Sequence, residues 1–449
     1  MVSLLMVLAL LIVPEGGNVT IQEWCNEITI FAILILFIQV STYRWFSQES
    51  DYLIPMFIVV SYFFHFSQIA LYNFSPEMSE QFTKYSVMRS GYVKEAAVVA
   101  AQSIICVYWG IITYLVFFKK EETKEVLSIL YNPSPTFIFV LLAIGFVSDF
   151  VYNIYVMFTI GYGNVETNTL LNTIRLFSLL FPSGIVLLFT RDNISLNTKH
   201  VIFIAFILYK VVCMLTGYRA FALITMVLMF YLYTKTCYHF KLTFKTSILG
   251  LVAVFFGSAL LASIRDTRNA GFDINEIYSL IADTEKNPLL NILAEFGITL
   301  NVMTELYSEL HGVGTGGEQL LASIMSVVPG IRVLMPNVDF DSMTLDTALS
   351  MHHLGGSYTS DMLYDFGSAG FIPASFLLGM IYGKVYTSFE MFIKYKYYNH
   401  VAVMFPVMVD LFFTIRTSLA RMPRTALWYF ALFFFLWVLF SRKGVHFKY

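Results

Sequence analysis

The chain alternates long apolar runs with short polar breaks, and most runs approach the length of a bilayer-crossing helix. Such a helix needs about 20 mostly apolar residues at about 1.5 Å rise each. Twelve segments fit that pattern, at 2–13, 28–43, 52–72, 95–118, 136–158, 172–190, 200–216, 219–236, 247–264, 368–388, 399–417 and 424–440. The first is short and ends at Pro14. One break, 265–367, is far longer than the rest, and long loops in compact proteins usually carry function. Within it Leu289, Leu293, Phe296, Leu300, Met303, Leu306 and Leu310 recur at the spacing of an amphipathic helix. The run "QLLASIMSVV" before Pro329 predicts a second helix, lying at the membrane interface. The chain therefore reads as three consecutive segments: nine spans in 1–264, a large loop in 265–367 and three spans in 368–449.

Composition sharpens this picture. Of 449 residues, 57% are apolar and 13% charged, with a mean hydropathy of +0.69. Soluble domains carry about 25% charged residues. Too little polar surface remains to face water, which excludes an ordinary cytosolic enzyme and a disordered chain. A formal net charge of −2 leaves no global basic field for a nucleic acid. Cys25, Cys106, Cys213 and Cys237 stand at no metal-like spacing, and no structural disulfide is expected. Residues 2–13 lack the basic start and small-residue site of a cleavable signal peptide.

The Lys and Arg bias of the short loops orients the chain with both termini inside. The inside segments then hold 12 Lys and 3 Arg, the outside segments 3 Lys and 7 Arg. Arginine's rigid fork pairs bidentately with phosphate and keeps its charge at any physiological pH. Arginine concentrated on the disfavoured side points to anion binding, with pairing to loop acids as the structural alternative.

Four constellations could carry chemistry. In "TGYRAF", 216–221, Arg219 opens a span at its outer end, beside the positive end of the helix dipole. In "SIRDTRNAG", 263–271, Arg265 and Arg268 share a face if the helix continues, and two guanidinium groups at headgroup depth match a diphosphate. The segment "MHHLGGSYTSDMLYDFGSAG", 351–370, gathers His352, His353, Asp361, Asp365, Tyr358 and Tyr364 among four glycines. Its two acids lie four apart on one helical face, and either histidine could take a proton near neutral pH. Arg416, Arg421 and Arg424 flank the last outward turn. Arg175 and Lys210 also lie in spans, where an ionisable group marks a candidate site, and Asp410 is a possible partner for Lys210. "GVGTGG", 312–317, lacks a phosphate loop's lysine and reads as a flexible turn. "DFD", 339–341, lies on the side where nucleotide sugars are absent. No metal site and no cofactor are expected.

The many spans, the late outward loop, the G-x-R turn of "TGYRAF" and the "GGSYTSDMLYDFGSAG" segment together resemble the O-antigen (oligosaccharide repeat-unit) polymerases, the Wzy family. The resemblance covers nearly the whole chain, by pattern. It implies a GT-C-like helical bundle in the bacterial inner membrane, all-α and polytopic. It further implies a glycosyltransferase that joins undecaprenyl-diphosphate-linked repeat units at the periplasmic face, with the lipid diphosphate leaving. On that reading Arg219, Arg265, Arg268 and Arg416 grip the diphosphate, with Arg421 and Arg424 as second choices. His352, His353 or Asp361 serves as general base, and Tyr358 and Tyr364 stack on sugars. Partners are the lipid-linked glycans, membrane lipid and a Wzz-type chain-length regulator. The alternatives are an O-antigen ligase-type transferase with the same donor, or a transporter of lipid-linked sugars, for which paired halves are expected and none are visible.

Overall fold

The computed structural model describes residues 2–17, 19–47, 52–74, 91–118, 133–155, 169–191, 193–215, 219–237, 257, 296–328, 331–335, 337–338, 343, 345 and 356–440. Those residues are helical, with no strand among them. Seven helices are long and apolar enough to cross a membrane: Ile21–Phe46, Leu53–Asn73, Val93–Phe117, Pro135–Ile154, Leu196–Met214, Tyr358–Lys394 and Leu419–Phe440. Helices Ile174–Phe189, Ala220–Thr236 and Tyr398–Phe413 are apolar but shorter. The protein is a helical membrane protein by these features. The opening helix, Val2–Leu11, rises about 15 Å, half a hydrocarbon core. The expected span 247–264 lies outside the described residues apart from Gly257.

Local chemistry explains several boundaries. Thr20 and Glu23 form a reciprocal capping box at the start of Ile21–Ser47, with Thr20 N–H on Glu23 Oε2 at 3.0 Å and Glu23 N–H on Thr20 Oγ1 at 3.3 Å. Ser134 caps Pro135–Phe150 by accepting Phe137 N–H at 3.1 Å, and proline occupies the first helical position. The expected span 172–190 is interrupted at Leu179, between helices Thr169–Ser178 and Leu180–Phe189. Leu179 N–H bonds Leu176 O at 3.3 Å rather than the α-helical partner Arg175 O, which takes Ser178 Oγ–H at 2.7 Å.

The chain divides into two compact units. Unit 1 is Met1–Lys119, Leu251–Thr387 and Thr414–Arg421. Unit 2 is Lys120–Gly250, Ser388–Phe413 and Met422–Tyr449. Part of the long loop belongs to the core of unit 1. In helix Ile298–Leu310 the stripe Leu300, Met303 and Leu306 is fully buried, while Glu305 and Glu309 are exposed. Just before it, Phe296 meets the rings of Phe63 and Phe64 at 5.1 and 4.8 Å. Helices Val93–Phe117 and Tyr358–Lys394 meet backbone to backbone. A Cβ on Gly110 would overlap Phe376 O, and one on Gly379 would overlap Val107 O, the small-residue approach that membrane helices use. In unit 2, Gly145 plays the same part against Phe181 N.

Candidate functional site in unit 1

The Gly-, Tyr- and acid-rich segment is helical from Tyr358 on, ten residues before the expected span. Ser357 caps it in a reciprocal pair, with Ser357 N–H on Ser360 Oγ at 2.7 Å and Ser360 N–H on Ser357 Oγ at 3.3 Å. Helix Tyr358–Lys394 then kinks at Gly367, whose φ of 62° lies in the region that favours glycine. At that kink the backbone of Gly314 comes against Gly367 N, too close for a Cβ.

That approach corrects the reading of "GVGTGG" as a flexible turn. Thr315 N–H donates to Tyr364 O at 2.8 Å, and Gly316 and Gly317 N–H both donate to Asp365 O at 2.9 and 3.0 Å. Ser368 N–H returns a bond to Gly312 O at 2.8 Å. The turn is fixed because its donors are consumed by the segment it faces. It delivers helix Glu318–Met325, whose free N-terminal N–H groups fall on Asp365: Gln319 N donates to Oδ1 at 2.9 Å and Leu320 N to Oδ2 at 3.0 Å. Asp365 caps that helix from 46 residues away. The helix carries its polar side inward. Gln319 and Ser323 are buried, whereas Leu321, Ile324 and Val328 are exposed.

Asp361 shares the face of Asp365, as their spacing requires, and is 1% exposed. Its Oδ1 accepts Gln319 Nε2–H at 2.7 Å and Ser418 Oγ–H at 3.0 Å, and its Oδ2 accepts Leu419 N–H. The carboxylate expected as a general base is thus enclosed here and bonded on both oxygens. Tyr358 and Tyr364, expected to stack on sugars, are both buried. Tyr358 packs instead on Phe57 at 5.8 Å and Tyr382 at 6.4 Å.

The turn 414–421 carries two of the candidate arginines. Arg416 is half-buried with its guanidinium 6.0 Å from the Phe64 ring centre, and Arg421 is exposed. Besides Asp361, the turn is held by Tyr358 N–H on Thr414 O at 2.8 Å, Tyr382 Oη with Thr414 Oγ1 at 2.9 Å, and Ser323 Oγ–H on Ala420 O at 2.7 Å. The structure thus brings Arg416 and Arg421 together with Asp361 and Asp365. His352, His353, Arg265, Arg268 and the "DFD" at 339–341 lie outside the described residues.

The remaining candidates belong to unit 2. Arg219 is the first residue of helix Arg219–Thr236, and Arg424 is exposed in the first turn of Met422–Phe440. Arg175 lies 5.8 Å from the Phe221 ring centre and is the cation acting on Asp410. Lys210, expected to pair with an acid such as Asp410, instead donates to Asp149 Oδ2 at 2.8 Å.

Sequence reasoning missed His65, which is fully buried in the span Leu53–Asn73. Its Nδ1 lies 2.8 Å from Ser61 O, so Nδ1 carries the proton and Nε2 accepts from Thr359 Oγ1 at 2.7 Å, with Ser357 Oγ at 3.2 Å. An imidazole within an apolar span was the available signal. Gln319 gave none. Among the described residues no group of three or more His, Cys, Asp or Glu could hold a metal ion. Comparison with protein-family models, with curated proteins and with solved structures finds no match to this chain.

Proposed function

We propose that the protein is a lipid-carrier-dependent glycosyltransferase of the Wzy type. It joins undecaprenyl-diphosphate-linked repeat units into O-antigen-type polysaccharide at the periplasmic face of the bacterial inner membrane. One observation carries this reading. The Gly- and acid-rich segment and the arginine turn, singled out separately in the sequence, are hydrogen-bonded to each other through Asp361, Ser418 and Leu419. The finer architecture belongs to the same proposal: twelve spans in a GT-C-like bundle, with 265–367 outward and both termini cytoplasmic. The exposed Leu321, Ile324 and Val328 then face the membrane interface.

In the reaction, the terminal hydroxyl of the acceptor unit attacks the donor's anomeric carbon. The bond from that carbon to the diphosphate oxygen breaks, and negative charge collects on the departing lipid diphosphate. Arg416 and Arg421 are the donors that stabilise that charge as it develops. The base that takes the hydroxyl proton is assigned to His352 or His353. A Wzz-type regulator is the expected protein partner.

Deletion of the gene tests the proposal through the lipopolysaccharide ladder. The expected result is lipid A–core capped with a single repeat unit. A deletion that leaves no repeat unit attached supports a ligase or a transporter instead.

A further inference from the structure

We infer that Asp361 is a positioning residue: its carboxylate locks the arginine turn to the loop helix Glu318–Met325, so that the seat of that helix sets where Arg416 and Arg421 stand. The inference rests on the anion-gripping reading above and deepens it.

The argument starts from what each carboxylate oxygen accepts. Oδ1 is shared between Gln319 Nε2, on the loop helix, and Ser418 Oγ, on the arginine turn. Oδ2 takes the backbone N–H of Leu419, two residues before Arg421 and three after Arg416. One buried anion therefore joins three stretches of chain at once. Hydrogen bonds to a charged acceptor are about twice as strong as neutral ones, and burial strengthens them further. The loop helix reaches the same turn by a second, neutral route, through Ser323 Oγ to Ala420 O. Gln319 closes the arrangement by accepting Leu345 N–H on its Oε1 at 2.7 Å, which fixes its amide so that Nε2 faces Asp361.

A turn of this kind needs such a lock. It carries two guanidinium groups, Arg416 over the Phe64 ring and Arg421 at its end. Donors stabilise a developing charge only where they are already in place, and a misplacement of about 1 Å can lower a rate by about 10²-fold. The loop helix contributes more than support. Its exposed apolar side, Leu321 and Ile324, and its buried polar side, Gln319 and Ser323, belong to one short helix.

The test separates this role from that of a base. Purified protein in liposomes is assayed with lipid-diphosphate-linked repeat units isolated from the native host, and rates are expressed per folded protein. Ser418→Ala and Gln319→Leu each cut one strand of the lock and leave the Asp361 carboxylate intact. Both are expected to lower kcat roughly 10-fold with little change in KM, within the range that misplacement allows. The shape of the pH–rate profile should stay as in the wild type. Ser418→Thr, which keeps a hydroxyl, should restore kcat. Asp361→Asn should give the same kind of defect, larger, again without a change in profile. Wild-type kinetics in both Ser418→Ala and Gln319→Leu would overturn the inference, as would loss of one limb of the pH profile in Asp361→Asn. If Arg416→Lys is impaired while the Ser418 and Gln319 variants behave as wild type, the lock alone fails. If Arg416→Lys is also normal, the anion-gripping reading fails with it.

Discussion

Unit 1 and unit 2 keep polar groups inside apolar helices by different means. In unit 1 the buried groups form a mostly neutral relay, His65 to Thr359 to Ser357, beside carboxylates that are filled by backbone and side-chain donors. In unit 2 the deepest group is a full ion pair. Lys210 and Asp149 are each 2% exposed, and Asn153 Nδ2–H bonds the same carboxylate at 2.9 Å. The ammonium stands among the rings of Tyr209, Phe181 and Phe206 at 5.4 to 5.9 Å. The pair adjoins a π-helical turn, Val151–Tyr155, a geometry often found at functional sites. The contrast teaches where adjustment is possible. A network of neutral donors shared among several elements can lose one member and re-form, whereas a lone buried charge left without its partner cannot.

The sharpest break of this comparison is Asp149→Ala in unit 2. It strands an ammonium in apolar surroundings and should lower stability by about 3–5 kcal/mol. Adding Lys210→Met should recover most of the loss, which thermal unfolding in detergent can measure. A double variant as unstable as the single one would mean that Asp149 is needed for more than charge balance. In unit 1, Gly379→Val forces a side chain onto the backbone of Val107 and should destabilise by about 1–3 kcal/mol. His65→Ala removes an acceptor from the buried Thr359 and Ser357 hydroxyls and should cost about 1–3 kcal/mol, at the low end if those hydroxyls re-pair. Asp365→Ala uncaps helix Glu318–Met325, for about 0.5–2 kcal/mol. Local hydrogen exchange at Gln319 and Leu320 would register it even where global unfolding does not. A neutral relay more sensitive than the ion pair would reverse the comparison.

Much of this was written in the sequence as pattern, and the remainder depends on long-range partners. That the chain carries long apolar helices was legible because length and hydropathy are local quantities. Leu300, Met303 and Leu306 declared a buried stripe because period fixes a face. The spacing of Asp361 and Asp365 declared a shared face, but their partner Gln319 lies 42 to 46 residues away and carries no signal. For helix Glu318–Met325 the period revealed two faces and left open that the polar one turns inward. The burial of Tyr358 and Tyr364 was not legible, because an aromatic ring beside glycines is equally at home on a sugar or in a core. Lys210 was marked as unusual by its place in a span, yet nothing local chooses Asp149 over Asp410. The tightened turn at Leu179 was not legible, because a count of apolar residues does not register which carbonyl each N–H reaches.

The central claim is that a fixed arginine turn grips a lipid diphosphate, and Arg416→Lys tests it most directly. The substitution keeps the point charge and removes the planar fork. With the variant protein at wild-type level in the membrane, the polysaccharide ladder should be shortened or lost. A full-length ladder from that variant would contradict the account.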